Sequence, residues 1–135
     1  MESGPFFAMH DAPKPLRVFI VEDSPLVRDR LDAAVTAVGG IVVGHSEAAN
    51  DAIENLATVD PDVVIVDIQL RSGTGFDVLE ALQTTGDGRS ATKIVLTNHA
   101  SPEYRDRSFQ LGANAFFDKS SETPQLFELI YKLAA

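Results

Sequence analysis

Five short apolar runs recur along the chain, each followed by a stretch with helical spacing: Val18–Val21, Ile41–Val43, Val63–Val66, Ile94–Leu96 and Ala113–Phe117. Brief, continuous runs rich in Val and Ile suit strands buried on both faces. The stretches between them carry apolar stripes at Val27, Leu31, Val35 and Val38, at Ala49, Ile53 and Leu56, and at Val78, Leu79 and Leu82. A thinner stripe at Tyr104, Phe109 and Leu111 marks a fourth helix, and Leu126, Leu129, Ile130 and Leu133 mark a fifth. Strands alternating with helices predict an α/β fold, a parallel sheet covered on both faces. Right-handed crossovers make an open, doubly wound sheet the natural closure, and five units are too few for an eight-stranded barrel.

The punctuation agrees with this division. Ser24-Pro25, Ser101-Pro102 and Thr123-Pro124 each read as a helix cap followed by proline in the first turn. Gly39-Gly40 and Gly112 read as stops, Asp60-Pro61 as a turn, and Thr85-Gly86-Asp87-Gly88 as the break after the third helix. Residues 1–15 hold Gly4, Pro5, Pro13 and Pro15 without periodicity and are expected to form a tail, with residues 16–135 as one domain. Phe6, Phe7 and Met9 in that tail either dock on a neighbour or, as expected here, stay loose.

Composition removes several functional classes. The chain has 135 residues and no cysteine, so thiolate metal sites, disulfides and cysteine nucleophiles are excluded. Its formal charge is −9, from 20 Asp and Glu against 11 Lys and Arg, which opposes binding to nucleic acid or anionic lipid. No apolar run approaches the roughly 20 residues that span a bilayer. The N-terminus lacks the basic and apolar regions of a secretory signal, so a cytoplasmic location is expected.

In open α/β sheets, ligands bind beyond the carboxyl ends of the strands. Here the first strand ends in Glu22 and Asp23, the third in Asp67, the fourth in Thr97, and the fifth near Lys119. Each residue alone has an ordinary structural explanation: a solvated loop acid, a β-branched strand residue, a surface cation. Jointly they have a chemical one. Adjacent carboxylates repel and call for a cation, and Mg²⁺ takes oxygen ligands from one or two carboxylates, water and phosphate. Asp67 then serves as nucleophile toward a phosphoryl group, with Lys119 and Thr97 available to its oxygens.

Val18–Asp23 (V-F-I-V-E-D), Val63–Asp67 (V-V-I-V-D), Leu96–Thr97 and Gly112–Lys119 (G-A-N-A-F-F-D-K) together resemble the receiver domains of bacterial response regulators, over roughly Arg17 to Leu133. That resemblance implies a flavodoxin-like (βα)5 sheet with strand order 2-1-3-4-5. It implies Asp67 as phosphoacceptor, Mg²⁺ held by Glu22, Asp23, Asp67 and the backbone carbonyl of Gln69, and Thr97 and Lys119 in the switch-hydroxyl and phosphate-binding roles. Phe116 falls where the family has its aromatic switch, though alternation of Phe116 and Phe117 across a strand explains the pair equally well. Gly75 matches a glycine the family carries beyond its acceptor. The implied partners are a sensor histidine kinase or a histidine phosphotransfer protein, and a target or second copy meeting the face of helix four, strand five and helix five. The implied chemistry is self-phosphorylation and slow dephosphorylation, not turnover of a substrate.

Departures from the family pattern are Ser120 and Arg71, both where proline is frequent, and Asn98, where small residues are common. Gln69 and His99 occupy positions that tune phosphoryl lifetime. Altered kinetics are expected, with function retained, while the geometry of the Lys119–Ser120 peptide is left open. A phosphatase of the haloacid dehalogenase type also forms an aspartyl phosphate, but it carries a second aspartate two residues on, where this chain has Gln69. A nucleotide-binding flavodoxin-like module would want a glycine- or hydroxyl-rich loop in place of Glu22-Asp23-Ser24-Pro25. Of the two remaining contexts, a stand-alone receiver is favoured over a receiver piece of a longer DNA-binding regulator.

Overall fold

The protein is described by a computed structural model over residues 14–87 and 90–135. Residues 1–13 of the expected tail (1–15), with Phe6, Phe7 and Met9, lie outside the described residues, as does Gly88 in the break after the third helix.

Among the described residues, five strands and five helices alternate: β1 (Arg17–Val21), α1 (Pro25–Ala37), β2 (Ile41–Ser46), α2 (Ala49–Leu56), β3 (Val63–Val66), α3 (Gly75–Thr85), β4 (Thr92–Thr97), α4 (Pro102–Gln110), β5 (Ala115–Asp118) and α5 (Thr123–Ala134). The strands form one sheet in the order β2-β1-β3-β4-β5, every pair parallel. The doubly wound flavodoxin-like sheet expected from the sequence is the observed fold. Strand order reverses between β1 and β3, which opens the crevice where such sheets bind ligands.

Alternate residues of the buried strands feed two cores. Phe19, Val21, Val64, Val66, Val95 and Phe116 pack with α2 and α3 on one face, and Val18, Ile20, Ile65, Ile94 and Leu96 pack with α1 and α5 on the other. All residues of β3 are buried, so it cannot slip by one register without exchanging its side chains between two packed cores. The rim at its carboxyl end is thereby fixed.

Boundaries moved in informative ways. β2 runs on through Gly44, His45 and Ser46, because those residues still pair with β1, and the Ser46 carbonyl accepts the Glu22 N–H at 2.9 Å. β4 begins at Thr92, and β5 spans Ala115–Asp118 where Ala113–Phe117 was expected. Phe116 and Phe117 do alternate, but neither faces open solvent: Phe116 is buried in one core and Phe117 lies partly buried against the other.

Two expectations about helices are corrected. Thr123 does not cap α5; it is the first helical residue, Glu122 holds the cap position, and the Thr123 hydroxyl donates to the Lys119 carbonyl at 2.9 Å. The expected stripe on α4 holds only in part: Tyr104 and Leu111 pack against the core, but Phe109 is 40% exposed and the helix's buried residue is Ser108. A small residue lets α4 approach the sheet, and the helix edge is held by Tyr104 and Arg107 on the Phe76 ring, at 5.2 Å edge-on and 4.3 Å as a cation–π contact. The caps at Ser24 and Ser101 and the left-handed glycines at 39 and 112 stand as read.

Candidate functional site

Glu22 is the most constrained residue of the rim. Its side chain is buried, yet both oxygens are satisfied: Oε1 meets Lys119 Nζ at 2.7 Å and Oε2 accepts the Ser24 N–H at 3.0 Å. Burial is the main reason its carboxyl sits above the ordinary glutamate range, helped by the charge of Asp67 and opposed by the lysine and the Ser24 amide.

Asp67 follows β3 directly, and its own N–H donates to the Val21 carbonyl at 2.9 Å, which fastens the strand end beside the acidic pair. Its Oδ2 accepts a 2.7 Å bond from Lys119 Nζ, and its Oδ1 a longer one, 3.3 Å, from the Gln69 N–H. The carbonyl of Asp67 faces the start of α3. A methyl group on Gly75 would collide with it, the carbonyl carbon being only 2.9 Å from that position. The glycine expected from the sequence is therefore required by close packing of α3 against the Asp67 backbone.

Lys119 joins both acids. Burial alone would lower its ammonium, but hydrogen bonds to Asp67 and Glu22 outweigh that and hold it above the ordinary lysine value. Its backbone is pinned as well, the N–H donating to the Thr97 carbonyl at 3.0 Å and the carbonyl accepting from Thr123. The Lys119–Ser120 peptide is trans.

Together these groups bound a cleft of about 330 Å³ lined by Glu22, Asp23, Asp67, Gln69, His99 and Lys119, among others. One oxygen each from Glu22, Asp23 and Asp67 lies within 4.8 Å of the others. The donors are all hard carboxylate oxygens, and one lysine offsets three acids, so the set fits a hard divalent cation such as Mg²⁺.

Of the residues singled out in the sequence, Glu22, Asp23, Asp67, Gln69 and Lys119 meet at this cleft. Thr97 and Phe116 do not line it. Thr97 is fully buried behind it, its hydroxyl accepting the His99 N–H at 3.1 Å, and Phe116 lies in the core with the Arg105 guanidinium 5.8 Å from its ring centroid. Sequence reading passed over Ser24 as a partner of Glu22, and over Arg28 and Glu47, which tie the loops beside the cleft. Ser24 was legible only as a cap; nothing in spacing or composition marks the other two.

A family model described as the response regulator receiver domain matches residues 18–131. The chain belongs to that family. Receiver domains are the signalling switches of two-component systems, which sets aside the phosphatase alternative. Among curated relatives, this receiver is 29% identical over 116 residues to the transcriptional regulatory protein DesR of Bacillus subtilis, covering 85% of the chain and 56% of DesR. The chain thus spans little more than half of that relative. Among solved structures, the receiver domain of the putative response regulator NarL from Mycobacterium tuberculosis superposes with a TM-score of 0.79 at 24% identity, over 90% of this chain and 98% of that one. The receiver domain of the sensor histidine kinase PA1611 from Pseudomonas aeruginosa, solved with a magnesium ion coordinated in its active-site cleft, superposes with a TM-score of 0.75 at 20% identity, over 88% and 97%.

Proposed function

We propose that this receiver takes a phosphoryl group onto Asp67 from a sensor histidine kinase or a histidine phosphotransfer protein, in a reaction that requires Mg²⁺. The observation carrying this reading is the Lys119 ammonium bridging Asp67 and Glu22 at 2.7 Å each, beside three carboxylate oxygens gathered within 4.8 Å. Glu22, Asp23, Asp67 and the Gln69 carbonyl would hold the ion, and the magnesium in the PA1611 cleft supports that choice of metal. Bound there, Mg²⁺ offsets the repulsion between carboxylate and phosphoryl oxygens.

The chain's own residues do the rest. An Asp67 oxygen attacks phosphorus, an O–P bond forms, and the P–N bond to the donor imidazole breaks, with the electron pair leaving on the ring nitrogen. Lys119 exchanges its bond to Asp67 for one to a phosphoryl oxygen. The Thr97 hydroxyl leaves the His99 amide to donate to another, and Phe116 follows into the space vacated, carrying the change to the face of α4, β5 and α5. That face receives the downstream target, an output domain or a second copy of the chain. No described helix is long and apolar enough to cross a membrane, and a donor kinase of this class acts in the cytoplasm, where we place the protein.

Incubation with Mg²⁺ and acetyl phosphate tests the reading. Intact mass should rise by one phosphoryl group, and the gain should vanish on chelation and in Asp67→Ala. Labelling that persists in Asp67→Ala would move the acceptor elsewhere.

A further inference from the structure

Two of the loops at the cleft carry the groups assigned to the metal: Asp23 lies between β1 and α1, and Asp67 and Gln69 open the loop between β3 and α3. A third loop, between β2 and α2, contributes Glu47, whose carboxylate meets Arg28 on α1 and Arg71 in the loop after Asp67. Glu47 Oε2 accepts from an Arg28 guanidinium nitrogen at 3.2 Å, and Oε1 meets the Arg71 guanidinium at 3.0 Å. The same Arg28 nitrogen donates to the Glu22 carbonyl at 3.0 Å, and that carbonyl belongs to the peptide joining Glu22 to Asp23. On the opposite side the Arg71 N–H donates to the Glu47 carbonyl at 3.2 Å, and the Ala49 N–H to the Ser72 carbonyl at 2.9 Å. One carboxylate therefore links the loop holding Asp23 to the loop that follows Asp67.

Its contribution to overall stability is small. The Arg71 side chain is 71% exposed, and ion pairs so open to solvent add little to stability. Its geometric effect is larger, because Mg²⁺ demands near-ideal octahedral placement and tolerates little displacement of its ligands. Glu47 is not one of the acids whose oxygens converge at the cleft.

The geometry points to Glu47 as a positioning residue: through Arg28 and Arg71 it sets the separation of the two loops, so that divalent-cation affinity depends on a carboxylate that does not touch the ion. This inference rests on the metal reading above. Long-range attraction by the negative charge of Glu47 is the rival explanation, and Glu47→Asp separates the two. Aspartate keeps the charge but is one methylene too short to span both guanidinium groups.

The test is direct Mn²⁺ binding to the full chain, read from the electron paramagnetic resonance of the free ion, with no phosphodonor present. Both Glu47→Asp and Glu47→Gln should bind about tenfold more weakly than wild type, the scale of effect seen for partners of metal ligands. Asp51→Asn, which removes a charge on α2, should stay within about twofold. Melting in chelator should shift by only about 2–3 °C in either Glu47 variant. Wild-type affinity in Glu47→Asp overturns the proposal, whether or not Glu47→Gln is weakened, and so does a large loss of stability that tracks the loss of binding. A wild-type chain that binds no Mn²⁺ removes the metal reading itself, a different result.

Discussion

Asp23 stands apart from its neighbours in the acid cluster. Glu22 and Asp67 share Lys119, whereas no cation among the described residues pairs with Asp23, so its charge repels the other two. Functional sites commonly cost stability in this way. In chelator, Asp23→Asn should melt above wild type. Added Mg²⁺ should raise the wild-type melting temperature, by about 2.7 kcal/mol of stability at a hundredfold excess over Kd, and leave the variant unmoved. Scanning calorimetry of both proteins with and without metal reads this. Lys93 gives a second residue-scale prediction, away from the cleft. It is buried at the start of β4, among the described residues only the Ala91 carbonyl accepts its ammonium, at 3.3 Å, and burial holds it below the ordinary lysine value. The unfolded chain therefore binds this proton more tightly. The group costs stability below its folded value, and the cost is relieved as pH rises toward the ordinary lysine range. Lys93→Met should raise stability near neutral pH by on the order of 1 kcal/mol, about 4 °C in Tm, and flatten the alkaline rise seen in wild type.

Among the elements, α3 governs the placement of Asp67 most directly, because its first residue packs on the Asp67 carbonyl. Gly75→Ala should destabilise the fold by about 2 kcal/mol or more, since a methyl there forces α3 away from the end of β3. Urea denaturation would show a lowered midpoint with unchanged slope; an unaltered midpoint would mean that α3 can retreat without cost. The elements also show where sequence reading succeeds and fails. β1, β3 and β4 were legible because every residue of their apolar runs is buried between two helix layers. The carboxyl half of β2 was not, since Gly44, His45 and Ser46 carry no apolar signal and are held as strand only by pairing with β1. α4 was legible only in part: Tyr104 and Leu111 reach the core as read, but Ser108 is its buried residue, and neither that contact nor Arg107 over Phe76 leaves a hydrophobic period. Thr123 looked like a cap because proline follows it, yet the turn after Lys119 takes its hydroxyl instead.

At the scale of the molecule, the site was legible because one topological rule gathers the strand ends on a single rim. Glu22, Asp67 and Lys119, spread over most of the chain, meet within hydrogen-bonding distance. The network through Arg28, Glu47 and Arg71 was not legible, since its members sit on unrelated elements with no period between them. The charge balance of the whole chain agrees with a cation-dependent acceptor, since an acidic surface attracts divalent ions and repels free phosphate anions. The most direct measurement of the central claim is borohydride trapping of the chain after acetyl phosphate and Mg²⁺, followed by peptide mapping. An acylphosphate on Asp67 is reduced to the alcohol, leaving homoserine at position 67 and at no other aspartate. Homoserine at a different acidic residue, or its absence from a chain that carries the added phosphoryl mass, contradicts phosphoryl transfer to Asp67.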